Sequence, residues 1–161
     1  MDQGPPVTQA GFTYLGVLFL AAIAGTVAAG TGVMWSTAQQ REKEQQLLFV
    51  GNEFRKAIGE YHERSPGSTK MYPAQLEDLL KDNRFLTTQR HLRRIYPDPL
   101  TGEREWGIVR APEGGIMGVY SLSNAVPLKV SGFDGLDQPF EGARQYGDWR
   151  FVYVPPVAER R

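Results

Sequence analysis

Between Phe12 and Trp35 the chain carries no charged side chain over 24 residues, and this run constrains everything that follows it. A helix rises about 1.5 Å per residue, and a hydrocarbon core of roughly 30 Å needs about 20 apolar residues. The run therefore predicts a helix that crosses a membrane. Trp35 closes it, where an interfacial aromatic is favoured. Small residues recur at intervals of four: Ala21, Gly25 and Ala29 form one line, and Ala24, Ala28 and Gly32 another. Such spacing lets helix backbones approach closely in lipid, although Ala and Gly are also simply common in spans. The mean hydropathy of -0.38 averages this segment with a charged remainder and hides the boundary at Ser36.

A chain of 161 residues has room for one modest domain beyond such a segment. Its 18 basic and 18 acidic residues exclude a strongly basic nucleic-acid footprint and the acidic bias of a disordered chain. There is no cysteine, which removes disulfides, thiolate metal sites and cysteine nucleophiles together.

Ser36 to Gln46 is polar all round and rich in helix formers. An apolar stripe follows at Leu47, Gly51, Phe54, Ile58 and Tyr61, the spacing of one face of an amphipathic helix. One continuous helix from Phe12 to about Glu63 is the simplest account, ended by Ser65-Pro66-Gly67-Ser68. Tyr72-Pro73 starts a short helix with Leu76, Leu79 and Leu80 on its apolar face. Tyr96 to Gly102 contains two prolines and reads as turns. Strands are expected at Glu105–Arg110 and Gly115–Leu122, as a hairpin, and at Asp148–Val154, where Trp149, Phe151 and Tyr153 share a face. A further short strand is expected near Val126–Val130. The fold class is α+β: a long N-terminal helix packed on a small antiparallel sheet of three to four strands.

Catalytic chemistry has little to stand on. His62 and His91 lie outside any metal-ligand spacing and read as surface or partly packed residues, and no nucleophile-elbow, phosphate-loop or dinucleotide motif is present. The expectation is a protein that is not an enzyme. Asp134, Asp137, Glu141 and Asp148 in the Gly-rich loop before the last strand are the best candidates for holding calcium, an ion that favours several carboxylate and carbonyl oxygens. Solvated loop acids are the simpler reading of the same residues. Arg84, Arg90, Arg93 and Arg94 form a basic cluster, with a solvated face as the simple reading. Their functional reading is a contact with acidic residues of a neighbour such as Glu42, Glu44 or Glu53. No aromatic interleaves Arg90 to Arg94, and no nucleic-acid partner is expected.

The junction Ala10-Gly11-Phe12-Thr13 resembles the processing site of type IV pilins and type II secretion pseudopilins, where a short leader ends in Gly before a Phe that opens a long apolar helix. Tyr72-Pro73, Leu79-Leu80, Tyr96-Pro97-Asp98-Pro99, Thr101-Gly102 and Trp106 resemble the segment that follows that helix in the major pseudopilin. The resemblance implies a leader at 1–11, a transmembrane half-helix at 12–35 and a periplasmic α+β domain at 36–161. It implies cleavage by a prepilin peptidase after Gly11, with Phe12 methylated and Thr13 next to it. Its partners would be other pseudopilin subunits, an inner-membrane assembly platform with its ATPase, and membrane lipid. Members of the family bind calcium in a C-terminal loop. The chain departs from the pattern at Gly16, where the family has Glu as the fifth mature residue, which favours a minor, tip or accessory subunit. Its leader also lacks the usual Lys or Arg. The alternative is an exported soluble binding domain with a Sec signal, since Ala22-Ile23-Ala24 and Val27-Ala28-Ala29 resemble small-residue cleavage sites. The absent basic leader, the long run and the helical pattern beyond it oppose that reading.

Overall fold

Helix α1 spans Ala10–Glu63, 54 residues without a break. The computed structural model describes residues 10–156, with the side chains of 10–13 and 24–35 outside the description. The chain divides into two compact units, Met1–Gln40 and Arg41–Arg161, and the division falls inside α1 at Arg41, the first charged residue beyond the apolar run. Among the described residues no helix is long and apolar enough to cross a membrane. The second half of the predicted span, 24–35, lies outside the described side chains.

In the second unit the apolar stripe of α1 is the floor of the core. Leu47, Val50, Phe54, Ala57, Ile58 and Tyr61 are all buried, as spacings of three and four on one face require. Their cover is an antiparallel sheet in the order β1-β2-β3, with β1 at Gly107–Arg110, β2 at Ile116–Tyr120 and β3 at Phe151–Val152. β1 and β2 form the expected hairpin, with a register shift between Val109 and Arg110. Its turn uses Gly114 and Gly115 at φ of 98° and 85°, where a side chain would be strained. Val119 pairs with Phe151 and Gly118 with Val152, which brings the last strand against the hairpin.

The helix meets the sheet through missing side chains. A Cβ on Gly51 would come within 2.4 Å of the Phe151 ring, and one on Gly59 within 2.7 Å of the Tyr153 ring. Both aromatics therefore lie directly on the helix backbone. Phe140 stacks on Trp149 with ring centroids 5.7 Å apart, while Phe133 and Tyr146 meet Trp149 edge-on at 5.3 and 5.2 Å. Burying each such ring contributes on the order of 2 kcal/mol.

Two expectations need correcting. The helix predicted after Tyr72-Pro73 is a single 3-10 turn, Leu76–Leu79, whose Asp78 caps it by accepting from Ala74 N and Gln75 N. Val126–Val130 is not a strand, because its backbone bonds go elsewhere: Leu128 N and Lys129 N to Glu44, and Val130 O from Gly142 N. The sheet therefore has three strands among the described residues. The Gly-rich loop before β3 holds 3-10 turns at Gly135–Phe140 and Tyr146–Asp148.

Candidate functional site

Two features of the molecule are unusual enough to bear on function: an uncovered apolar face at the start of α1, and a set of buried ionic clips in the second unit. The face comprises Tyr14, Leu15, Val17, Leu18, Phe19, Leu20 and Ile23, all exposed. Leu15, Gly16, Phe19, Leu20 and Ile23 line a shallow groove of about 370 Å³ along it. Nothing lies within 4 Å of where a Cβ on Gly16 would be. Ala21 is exposed on the same stretch. Of the residues predicted for processing and packing, Gly11, Phe12, Thr13, Ala24, Gly25, Ala28, Ala29 and Gly32 lie outside the described side chains.

The largest clip closes the C-terminal end of α1. The last carbonyls of a helix have no intrahelical partner and carry partial negative charge. Arg84 donates through Nη2 to Tyr61 O at 2.7 Å and through Nη1 to Ser65 Oγ at 2.7 Å, with its guanidinium 3.5 Å from the Tyr61 ring centre. Lys70 donates to Glu63 O. Arg84 in turn forms a bidentate pair with the fully buried Asp82, Nε to Oδ1 at 2.9 Å and Nη2 to Oδ2 at 2.7 Å. His91 Nε2 lies 3.2 Å from Asp82 Oδ2, and its Nδ1 faces Glu60 at 3.8 Å without a hydrogen bond. Burial pushes the Asp82 carboxyl up, but the hydrogen bonds from Arg84 and His91 outweigh it and hold it at about 2. Arg84 is thus not part of a surface basic cluster, and neither histidine is a surface residue: His62 is buried against Tyr72 at 4.5 Å. Arg90, Arg93 and Arg94 remain exposed, Arg94 over the Tyr96 ring.

Three more clips tie loops to the core. Glu44 is buried, and its Oε1 accepts from Leu128 N, Lys129 N and the Tyr146 hydroxyl at 2.7, 2.9 and 3.1 Å. It is committed within the chain and does not offer itself to a neighbour's arginine. Asp98 is wholly buried in the Tyr96–Gly102 turn, accepting from Ser121 Oγ at 2.6 Å and Leu100 N at 2.9 Å. Trp106 Nε1 donates to Tyr96 O at 2.8 Å beside it. At the surface, Tyr153 donates to Glu63 at 2.8 Å. That bond, with His62, lowers the Glu63 carboxyl, while burial and then Glu63 push the Tyr153 hydroxyl up to about 12.

The carboxylates predicted for calcium are not brought together. Asp137 accepts from Arg55 at 2.7 Å and Asn52 at 2.9 Å, Asp148 from the amides of Arg144 and Gln145, and Glu141 from Gly132 N. Asp134 is exposed at the start of the Gly135–Phe140 turn. Among the described residues no group of three or more His, Cys, Asp or Glu is arranged to hold a metal ion. The clips were missed in sequence because Asp82, Asp98 and Glu44 look like ordinary surface acids. Only the two prolines that pin the Asp98 turn hinted at one of them.

No protein-family model matches the chain, and neither a curated protein nor a solved structure is similar to it.

Proposed function

We propose that the chain is a subunit of a pilin-like filament, of the pseudopilin type that serves type II secretion. The observation that carries this reading is the uncovered apolar start of α1. Six large apolar side chains over Tyr14–Leu20 are 49% to 72% exposed in a single copy. A surface of that kind needs lipid or other copies of itself to cover it. The α+β unit that follows, with its helix stripe under a small antiparallel sheet, suits a subunit that faces outward from such a packed helical core. The junction at Gly11-Phe12-Thr13 and the Asp98 turn before β1 add the sequence resemblance to it.

On this reading the subunit waits in the inner membrane, held by Phe12–Trp35, with its second unit in the periplasm. A prepilin peptidase cleaves after Gly11 and methylates Phe12. An assembly platform and its ATPase then draw the subunit into a helical stack that pushes exoproteins outward. No bond in a substrate is made or broken. The open space around Gly16 leaves the usual carboxylate position empty, which fits a subunit at the tip or in low number.

The test is the N-terminus and intact mass of the mature protein from isolated membranes, with and without a prepilin peptidase. A methylated Phe12 that depends on the peptidase is the expected result. A start after Ala24 or Ala29, indifferent to the peptidase, would overturn it in favour of an exported soluble domain.

A further inference from the structure

β3 ends the strand order β1-β2-β3, so one of its edges meets no other strand among the described residues. Tyr153 turns its N–H inward to Met117 O at 2.9 Å. Peptide groups alternate in direction along an extended chain, so the Val152 carbonyl and the Val154 amide face outward. An unpaired edge of this kind is a template for another extended chain unless something blunts it. Here Pro155 and Pro156 end the strand but leave the Val154 amide available.

Two adjoining grooves flank that edge. One, of about 490 Å³, is lined by Leu136 and Pro139 of the 3-10 turn and by Val152 and Val154. The other, of about 450 Å³, has Gly59 and Tyr153 in its lining, and the two share Arg55, Leu136 and Tyr153. Leu136 and Val154 are 73% and 69% exposed, which leaves apolar surface uncovered beside the free amide.

The uncompensated charges around the grooves are mostly basic. Asp137, close by, holds Arg55, Glu63 accepts from Tyr153, and Glu60 lies 3.8 Å from His91 without a hydrogen bond. The bordering cations Lys56, Arg64 and Arg150 make no ion pair among the described residues.

We propose that the β3 edge takes up an extended segment of a partner protein, one that alternates apolar and acidic residues, as a fourth strand. Main-chain bonds to Val152 O and Val154 N align the segment. Successive side chains of a strand point to opposite faces, so its apolar residues seat against Leu136 and Val154 while its carboxylates, on the face of Tyr153, reach Lys56 and Arg64. The inference does not rest on the filament reading, because every residue it uses belongs to the second unit.

The test titrates the full chain, in a mild non-ionic detergent, with fluorescein-labelled acetyl-(Val-Glu)4-amide and with (Val-Lys)4 as the charge-reversed control. Anisotropy reads binding, and hydrogen exchange reads the Val154 amide. The acidic peptide is expected to bind at least tenfold more tightly than the basic one and to slow exchange at Val154 at least tenfold. Val154→Pro, which removes the outward donor, is expected to abolish binding. Leu136→Glu gives the same loss through the groove without touching the strand backbone. A Lys56→Glu, Arg64→Glu double variant is expected to reverse the peptide preference. Equal binding of both peptides, binding of neither, or binding that survives both Val154→Pro and Leu136→Glu would overturn the proposal.

Discussion

Two stretches of α1 use similar side chains and end in opposite environments. The large apolar residues of Tyr14–Ile23 are 49% to 72% exposed, while the six core residues from Leu47 to Tyr61 are 0% to 7% exposed. What differs is arrangement. The second stretch keeps its apolar groups on one stripe, which a three-stranded sheet can cover from one side. The first is apolar nearly all the way round, and no single small sheet can cover that. Density of apolar residues says how much surface must be hidden, and periodicity says from how many directions.

The sharpest way to break this comparison is to remove one phenylalanine from each stretch. Phe54→Ala is expected to lower unfolding stability by about 3–5 kcal/mol, read from the urea midpoint of the full chain. Phe19→Ala is expected to stay within about 0.5 kcal/mol in the same assay, because its ring is 71% exposed. Equal losses would mean that the first stretch is covered after all.

The same contrast holds for polar groups. Asp82→Ala strands Arg84 and His91 in the interior and is expected to cost about 3–5 kcal/mol. Glu42→Ala, at an exposed site on the same helix, is expected to cost less than about 0.5 kcal/mol. The glycines of α1 sharpen the point with a smaller effect. Gly51→Ala forces a methyl into the Phe151 ring and is expected to cost about 1–3 kcal/mol. Gly16→Ala meets open space and is expected to favour the helix by roughly 0.5–1 kcal/mol, seen as higher helicity by circular dichroism.

The contrast also has an acid limb. The folded Asp82 carboxyl, at about 2, lies below its ordinary 3.8, so its contribution is complete above that ordinary value and fades as pH falls through the folded one. The difference in urea midpoint between wild type and Asp82→Asn should be constant above about pH 4 and shrink toward pH 2. A difference that holds at pH 2 would show that the carboxylate charge is not what the clip uses.

The helix, its end and the hairpin were legible because each rests on local signals: three-four spacing, a Ser-Pro-Gly stop, and a turn rich in Pro and Gly. The strand expected at Asp148–Val154 shortens to Phe151–Val152, but the alternation that marked it still turns Trp149 and Phe151 inward, both wholly buried. The middle loop was not legible. Phe133, Phe140 and Tyr146 complete the aromatic core from a segment with no period, set by 3-10 turns and long-range bonds rather than by neighbours in sequence. Of the candidate site, only the apolar start of α1 could be read in advance. The clips depend on partners far along the chain, and a lone acid in a sequence carries no sign of which distant amide it will meet.

That distance has a consequence in time. Glu44 and the Tyr146 hydroxyl are 102 residues apart, Tyr153 and Glu63 are 90 apart, and Arg55 and Asp137 are 82 apart. A chain emerging at about 5–20 residues per second makes α1 first and delivers its lid some 5–20 seconds later. Through that interval the stripe from Leu47 to Tyr61 stands as naked as the stretch from Tyr14 to Ile23, and both ends of the newborn helix present oil to whatever guards the ribosome exit.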